Sequence, residues 1–272
     1  MNAPEAVEFL QWALPRLRLH WPGYRKVRAQ VCKRVDRRLR ELGLANAAAY
    51  RAYLEAHPAE WQTLDRACCV SVSRFFRDRA LFEALGHEVL PGLAQAAVRR
   101  NDRALECWSA GCASGEEPYG LAILWRLRLA ARFPGVDLRI LATDLDATLL
   151  ERAARGCYRP SSLKEVPADL RAAAFEASGG ELCLRSDFRQ SVRLACQDIR
   201  APMPEGVFDL IFCRNLVLTY FEPALRREVF GRILERLRAG GAVVIGIHER
   251  LPAPMSQLAP WPGIRAIYRK AQ

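Results

Sequence analysis

The chain has 272 residues, 51% of them hydrophobic, and 41 Lys and Arg against 30 Asp and Glu give it a formal net charge of +11. This length and apolar content suffice for one large domain or two smaller ones, each with a buried core. No stretch approaches the roughly 18 uncharged apolar residues of a membrane span. Glu5 and Glu8 near the N-terminus do not fit a signal peptide.

The first 66 residues are predicted to form a basic helical domain, with helices over 4–15 and within 24–56. Asn46 is a candidate N-cap for a separate helix over 47–56. Apolar residues at spacings of three or four predict one buried helix face, formed by Val27, Val31, Val35, Leu39 and Leu42.

Positive charge is concentrated between residues 16 and 40, which hold ten Lys or Arg, among them Arg34, Arg37 and Arg38, and one acid, Asp36. Such a stripe favours an acidic partner, either nucleic acid or an acidic protein surface. The alternative is a solvated helix face in an Arg-rich protein, and the composition fits both interpretations.

From residue 67 to 272, strand-like runs alternate with helical runs, which is typical of an α/β fold with a mostly parallel, doubly wound sheet. The predicted helices cover 79–99, 116–132, 146–155 and 222–238, and Gly240-Gly241 is expected to stop the last one. Residues 157–191 interrupt the alternation and are predicted to be an insertion with a short helix and a hairpin. The predicted strands are Ala104–Trp108, Leu138–Ala142, Val192–Cys196, Phe208–Cys213, Ala242–Ile247 and Ile264–Tyr268.

The turn after the first predicted strand is the most informative segment. Gly111 and Gly115 let the backbone approach a ligand closely, and the following helix begins with free N–H groups. Glu116 and Glu117 place negative charge at that helix start, which disfavours a phosphate. The loop therefore suits a cationic ligand rich in hydroxyl and amine groups, such as S-adenosylmethionine, with Gly111 in contact with it.

Polar residues follow the other predicted strands where each strand ends. Asp144 is placed to accept from ribose hydroxyls, Asp198 and Ile199 suit an adenine edge and face, and Arg214-Asn215 follow the fourth strand. The carboxyl ends of such strands form the ligand site of open α/β sheets, so these residues predict a nucleoside pocket. Asp146 alone fits a simple helix N-cap. A dinucleotide is disfavoured because the loop lacks Gly-x-Gly-x-x-Gly.

The segment Ser71–Asp78 joins the two predicted regions and contains two aromatic residues flanked by arginines. Arg77 is placed to bind a carboxylate of cofactor or substrate. Simple packing with solvated charges is the alternative.

Nine cysteines, an odd number without a Cys-x-x-Cys pair, lie mostly in apolar runs. We therefore expect reduced, buried thiols in a cytoplasmic protein. They are Cys32, Cys68, Cys69, Cys107, Cys112, Cys157, Cys183, Cys196 and Cys213.

Together these segments resemble the chemoreceptor glutamate methyltransferase (CheR) family over residues 24–270. The resemblance implies an all-α N-terminal domain, a class I (Rossmann-like) methyltransferase domain and a small β-containing insertion. It implies methyl transfer from S-adenosylmethionine to a glutamate side chain of an acidic chemoreceptor, with no metal. The segments that carry it are Ser71–Asp78, Trp108–Tyr119, Ala142–Asp146, Gly156–Tyr158, Phe208–Asn215, Tyr220-Phe221 and Gly240–Gly246 with Glu249.

The family's functional residues fall on matching positions of this chain. Arg77 and Tyr220 are implied as catalytic, Arg77 by orienting cofactor and substrate and Tyr220 by lining the methyl-transfer site. The implied cofactor contacts are Ser71, Ser73, Arg77, Glu117, Asp144, Asp198, Ile199, Arg214 and Asn215.

The chain departs from the family pattern at three places. Ser71 and Ser73 stand where the family usually has Asn and Thr. Four residues, Leu216–Thr219, separate Asn215 from Tyr220 where three are usual, and the final Gly-x-Ser-Glu is Gly246-Ile-His-Glu249 here. The last two departures bear on the methyl acceptor more than on the cofactor.

Three alternatives remain open on the sequence. A methyltransferase could act on another protein, a small carboxylate or an RNA, with His248 as a candidate base or a structural histidine. A non-catalytic regulator could bind the same cofactor, and residues 16–40 could bind nucleic acid.

Overall fold

The computed structural model describes residues 3–71, 73–252 and 255–271. The chain divides into two compact units, one of Met1–Ser71 with Leu216–Glu228 and one of Val72–Asn215 with Val229–Gln272. The sequence-based division at residue 66 placed 216–228 in the second domain, whereas the structure groups that segment with the N-terminal helices. Within the described ranges, no helix has the length and apolar content that crossing a membrane requires.

Most of the predicted helices are confirmed. The helix Glu60–Cys68 was not predicted, and the helix predicted over 222–238 ends at Glu235, because a strand begins at Leu237. The predicted runs 79–99 and 116–132 are continuously helical, the first through a π-helical turn at Leu85–Val89 and the second through a π-helical turn at Trp125–Leu129 and a 3₁₀ turn at Ala130–Arg132. In chain order the helices are α1 (Ala3–Arg16), α2 (Trp21–Tyr24), α3 (Arg28–Glu41), α4 (Ala47–Ala56), α5 (Glu60–Cys68), α6 (Arg79–Ala84), α7 (Leu90–Arg99), α8 (Glu116–Leu124), α9 (Ala147–Arg155), α10 (Ala168–Ala174), α11 (Ser186–Arg189), α12 (Val217–Tyr220) and α13 (Pro223–Glu235).

The strands all belong to the second unit. In chain order they are β1 (Ala104–Ala110), β2 (Asp137–Asp144), β3 (Cys157–Tyr158), β4 (Phe175–Ser178), β5 (Glu181–Leu184), β6 (Val192–Cys196), β7 (Phe208–Phe212), β8 (Leu237–Val244), β9 (Leu258–Pro260) and β10 (Ile267–Lys270).

The main sheet has the order β6-β2-β1-β7-β8-β10-β9. Neighbours from β6 to β8 are parallel, while β10 runs antiparallel to both β8 and β9. The strand order reverses between β1 and β7, because β2 and β6 extend the sheet on one side and β8 on the other. The predicted doubly wound α/β fold is confirmed, and its switch point lies at the carboxyl ends of β1 and β7.

The prediction for Gly240-Gly241 was wrong, because both glycines lie inside β8 instead of ending the preceding helix. A Cβ on Gly241 would lie 2.8 Å from the Asp209 carbonyl oxygen, and the β7–β8 register shifts between Phe208 and Leu210. The glycine therefore permits a close backbone approach inside the sheet.

The insertion forms a three-stranded sheet of order β3-β5-β4. Cys157 on β3 pairs in register with Cys183 on β5, their Cα atoms are 3.9 Å apart, and their sulfur atoms form a disulfide. The expectation of nine reduced thiols was therefore wrong for these two. The spacing of the cysteines in the sequence did not indicate this disulfide. Its two residues are 26 positions apart and come together only through antiparallel strand pairing. The other seven cysteines form no disulfide within the described residues. Four of them are buried as expected, whereas Cys32 and Cys69 are half-buried and Cys196 is exposed.

The predicted apolar face is confirmed for Val31, Val35 and Leu39, which are buried on α3. Val27 and Leu42 flank the helix and are half-buried. Asn46 caps α4 as predicted, its Oδ1 accepting from the Ala49 N–H at 2.9 Å. Both patterns depend only on local spacing, which explains why the sequence sufficed for them.

Two arginines of the basic stripe lie inside this unit's own hydrogen-bond network. Arg38 donates from Nε and Nη2 to the two carboxylate oxygens of buried Glu60, at 2.9 and 2.8 Å, and the Tyr50 hydroxyl donates to Glu60 at 2.9 Å. Arg34 donates to the main-chain carbonyls of Ala67 and Cys69 at the end of α5. These two charges support the helix packing and are not available as a docking surface.

Glu60 provides a test of this network. Hydrogen bonds from Arg38 lower the pKa of Glu60 below its ordinary value, against the opposing effect of burial. We expect Glu60→Gln to lower the free energy of unfolding at pH 7 by about 2 kcal/mol, since hydrogen bonds to a buried charge are lost. Because the folded-state pKa is depressed, the stabilisation is complete above the unfolded pKa of about 4.3 and disappears as pH falls through the folded value.

Urea unfolding at pH 7 and at pH 3, followed by circular dichroism, measures both effects. Glu41→Gln is the matched control, since Glu41 also contacts Arg38 but is half exposed, and surface pairs contribute about 0–1 kcal/mol. Equal losses in the two variants at pH 7 would contradict the role of Glu60.

Candidate active site

The glycine turn after β1 is built around the end of β2. The Gly111 and Cys112 N–H groups both donate to the Thr143 carbonyl, at 2.8 and 2.9 Å. Gly111 and Gly115 have φ of +79° and +90°, conformations that glycine adopts without strain. Gly115 directly precedes α8, so the turn presents the start of that helix as the sequence predicts.

Asp144 ties the loops after β1 and β2 together. Its Oδ2 accepts from the Ala113 N–H at 2.8 Å and its Oδ1 accepts from the Asp146 N–H at 3.0 Å. Burial raises the pKa of Asp144 despite these lowering hydrogen bonds. Asp146 is the N-cap of α9, accepting from the Thr148 and Leu149 N–H groups, which is the simple role the sequence allowed for it.

The two acids that begin α8 have different surroundings. Glu116 is buried, and both of its carboxylate oxygens lie 3.0 Å from the Ser114 hydroxyl. Glu117 instead accepts from the Ser109 hydroxyl at 2.8 Å and from Arg214 Nη1 at 3.1 Å. Glu117 is therefore the acid that connects the carboxyl ends of β1 and β7.

Arg214 is the centre of the site. Its side chain is only 5% exposed, and it pairs with both Glu117 and Asp78. Its Nη2 also donates to the Arg77 carbonyl at 3.3 Å. One buried guanidinium thus joins the end of β7, the start of α8 and the segment before α6.

The segment carrying Arg77 is anchored by its aromatic neighbours. Phe75 packs edge-on against Tyr158 with ring centroids 4.8 Å apart, and Phe76 packs against Phe82 at 4.8 Å. Phe76 and Asp78, on either side of Arg77, have φ of +55° and +65°. Non-glycine residues in this conformation cost about 1–3 kcal/mol and cluster at functional sites. Packing explains the two aromatics, and the strained turn around Arg77 supports a functional position.

The end of β6 lies beside Asp144, since the Gln197 N–H donates to the Asp144 carbonyl at 2.9 Å. Next along the chain, Asp198 binds the Arg200 side chain at 2.8–3.0 Å. Burial would raise the pKa of Asp198, but the hydrogen bonds from Arg200 bring it below its ordinary value. Ile199 is buried.

Asn215, which has φ of +52°, is fixed by a distant carboxylate. Glu249 Oε2 accepts from the Asn215 N–H at 3.0 Å and from the Gly246 N–H at 2.6 Å. The divergent end of the chain thus keeps its contact with the Arg214-Asn215 turn. His248, which lies between Gly246 and Glu249 in the sequence, is exposed.

Ser71 and Tyr220 belong to the first unit, and the other predicted site residues belong to the second. Ser71 and Ser73 are half-buried. Tyr220 is the last residue of α12 and packs on Tyr24 with ring centroids 4.9 Å apart.

Within the second unit, the structure brings Glu117, Arg214 and the Arg77 main chain together, with Asp144 supporting the glycine turn. Sequence reasoning gave no role to Asp78, Ser109 or Glu249. All three lie in segments that carry the family resemblance, but the sequence did not show what they contact. Asp78 pairs with Arg214, 136 residues away, whereas Ser109 donates to Glu117 only eight residues further on.

These residues fit S-adenosylmethionine. Arg214 Nε is buried without a hydrogen-bond partner among the described residues, so one charged donor remains for a carboxylate such as that of the methionine part. Glu117 beside it suits the ammonium group, and Asp144 suits ribose hydroxyls. With the strand order, this donor and acceptor set defines a class I S-adenosylmethionine-dependent methyltransferase.

Comparisons with known families agree with this class. The CheR methyltransferase SAM binding domain matches residues 71–262, and the CheR methyltransferase all-alpha domain matches residues 25–67. The chain belongs to the CheR methyltransferase family, which confirms the resemblance noted in the sequence.

Relatives named "Chemotaxis protein methyltransferase" are similar over most of the chain. The Listeria monocytogenes protein is 36% identical over 68% of this chain and 67% of its own length. The Escherichia coli K12 protein is 33% identical over 82% of this chain and 76% of its own. "Chemotaxis protein methyltransferase 2" of Vibrio cholerae is 33% identical over 80% and 77%.

Among solved structures, the N-methyltransferase NodS from Bradyrhizobium japonicum WM9 in complex with S-adenosyl-L-homocysteine is 18% identical. The similarity covers 60% of this chain and 61% of that one with a TM-score of 0.32. The fold assignment rests instead on the strand order and the family match.

Asp144 gives a direct test of the cofactor site. We expect Asp144→Asn to weaken S-adenosylhomocysteine binding about 10- to 100-fold, because the amide NH2 must face one of the two N–H groups that the carboxylate now accepts. Isothermal titration calorimetry measures the affinity. The matched control is Asp146→Asn, two residues along, where only a helix cap changes. Similar affinities for the two variants would contradict the assignment of Asp144.

Proposed function

We propose that this methyltransferase transfers a methyl group to glutamate side chains of a chemoreceptor. The observation that carries the proposal is the set of family residues collected around Arg214, in a chain that matches the family over both of its domains. The proteins named for chemotaxis methylation, at 33–36% identity, support the same acceptor class.

Each predicted residue has a place in the proposed chemistry. Arg214, Glu117 and Asp144 bind the methionine and ribose parts of the cofactor, and Asp198 with Ile199 the adenine. Arg77 orients cofactor and acceptor, and Tyr220 lines the site of methyl transfer. The remaining proposed contacts to the cofactor come from Ser71, Ser73, Gly111 and Asn215.

Bound S-adenosylmethionine supplies a methyl group on positively charged sulfur, which an acceptor carboxylate oxygen takes as S-adenosylhomocysteine is released. A glutamate is already ionised near neutral pH, so no general base is needed. The site's task is alignment and removal of water, because hydration weakens a carboxylate nucleophile. His248 therefore has no proton to remove in this reaction.

The acceptor and the role of Arg77 are tested together with tritiated S-adenosylmethionine and acidic helical fragments of chemoreceptors. We expect base-labile label, as a glutamyl methyl ester gives. Arg77→Ala should reduce the transfer rate about 10- to 100-fold through loss of a charged contact. Arg74→Ala is the control, since Arg74 is half exposed and lies 3.6 Å from Glu165.

Two results would count against the proposal. Base-stable label would move the acceptor to another chemical group, and near-normal transfer by Arg77→Ala would remove Arg77 from the mechanism.

The partner surface we propose is the exposed part of the basic stripe on α3. Lys33, Arg37 and Arg40 are exposed, unlike Arg34 and Arg38, and an acidic receptor helix complements them in charge. We propose a cytoplasmic location for this encounter. The seven cysteines without a disulfide favour it, and the Cys157–Cys183 disulfide does not.

We expect the double variant Lys33→Glu/Arg37→Glu to raise KM for the receptor fragment about tenfold at low salt while S-adenosylhomocysteine affinity stays unchanged. The difference from the wild type should shrink as salt increases. Arg99→Glu/Arg103→Glu, a double reversal at two exposed residues shortly before β1, is the charge-matched control. A KM that is insensitive to both salt and charge reversal would exclude this surface.

A further inference from the structure

The segment Arg18–Tyr24, which we call the N-terminal clamp, pairs with the chain around Tyr220. The His20 N–H donates to the Tyr220 carbonyl at 2.7 Å, and the Glu222 N–H donates to the Arg18 carbonyl at 3.0 Å. Between these bonds, Leu19 and Phe221 form an antiparallel bridge. The main chain on both sides of Phe221, directly after Tyr220, is thereby fixed within the first unit.

Side chains reinforce the pairing. Arg18 Nε donates to Glu222 Oε1 at 2.8 Å. From α13, Arg226 Nη2 donates to the Phe221 carbonyl at 2.9 Å and lies 3.4 Å from His20 Nδ1. The turn after Tyr220 is therefore bound both from the clamp and from the following helix.

Gly23 and Tyr24 shape the space that the tyrosine occupies. A Cβ on Gly23 would lie 2.2 Å from the Thr219 carbonyl oxygen and 3.3 Å from Tyr220 Cδ1. Tyr24 is buried, and its ring is inclined at 55° to the Tyr220 ring, with centroids 4.9 Å apart. Only glycine at position 23 permits this approach of α2 to α12.

We infer that the N-terminal clamp is a positioning element that sets the backbone and ring of Tyr220 for methyl transfer. The clamp precedes the two regions that match the family, residues 25–67 and 71–262, so the family match assigns it no role. The inference rests on the proposed role of Tyr220 in the reaction.

The test uses Gly23→Ala in the full chain. We expect kcat to fall about 10- to 100-fold, since small misplacements of catalytic groups have effects of this size, while KM for S-adenosylmethionine changes less than about twofold. Hydrogen exchange in peptides covering 216–222 should accelerate. Gly231→Ala is the control, because a Cβ there meets nothing within 4 Å.

A second pair keeps the test valid if Gly23→Ala fails to fold. Tyr24→Leu removes the ring and should lower kcat, whereas Tyr24→Phe keeps the ring and should restore it. Tyr220→Ala removes both the ring and the hydroxyl, so it separates positioning from general stability. Gly23→Ala should add little to its effect on kcat when both act through one residue.

The outcomes distinguish the inference from the proposed function. Unchanged exchange in 216–222 together with unchanged kcat overturns the clamp. Full additivity of Gly23→Ala and Tyr220→Ala in their effects on kcat overturns the clamp's action through Tyr220. Base-stable label in the wild type, with faster exchange and lower kcat in Gly23→Ala, overturns only the proposed acceptor.

Discussion

The buried guanidinium of Arg214 is the interaction on which the cofactor site depends. A charge that is 5% exposed needs compensation nearby, and two carboxylates, Glu117 and Asp78, supply it. Because those acids lie on different segments, the pairing fixes the start of α8 and the turn holding Arg77 against the end of β7. Its Nε has no hydrogen-bond partner among the described residues, and we propose that it donates to the ligand, so that one residue would both organise the site and bind within it.

The parts of this site that were predictable follow from the topology of parallel sheets. Once the strands were located, their carboxyl ends had to converge, so a polar cluster with Asp144, Arg214 and the acids that begin α8 could be expected from strand order. The choice of Glu117 over Glu116 came from the family resemblance. Ser109 lies eight residues before Glu117, but which of the small polar residues of that turn contacts the acid depends on the turn's conformation. The role of Asp78 could not be assigned, because its partner Arg214 is 136 residues away and only folding brings the two together. The Cys157–Cys183 pair and the close approach at Gly241 were missed for the same reason. Local spacing does not report which backbone faces a residue across a sheet.

Charge counting has a similar limit in the helical unit. Ten basic residues over 16–40 look equivalent in the sequence, yet Arg34 and Arg38 donate to groups 22–35 residues away. Their charge contributes to the packing of α3 against α5. The basic residues that remain exposed on α3 lie on the side of the helix opposite its apolar face. They are Lys33, Arg37 and Arg40. Basic residues that are hydrogen-bonded within the fold therefore have to be distinguished from exposed ones before a partner is proposed for the stripe.

The grouping of Leu216–Glu228 with the N-terminal helices links two parts of the proposed reaction. The cofactor residues around Arg214 belong to the second unit, whereas Tyr220 and the exposed basic face of α3 belong to the first. Arg18, His20 and Tyr24 contact the turn around Tyr220 immediately before α3 begins. An acidic receptor helix bound to α3 would thus contact residues that closely follow the N-terminal clamp in the sequence. On this proposal, the first unit both recognises the acceptor and positions Tyr220, and the residues around Arg214 perform neither task.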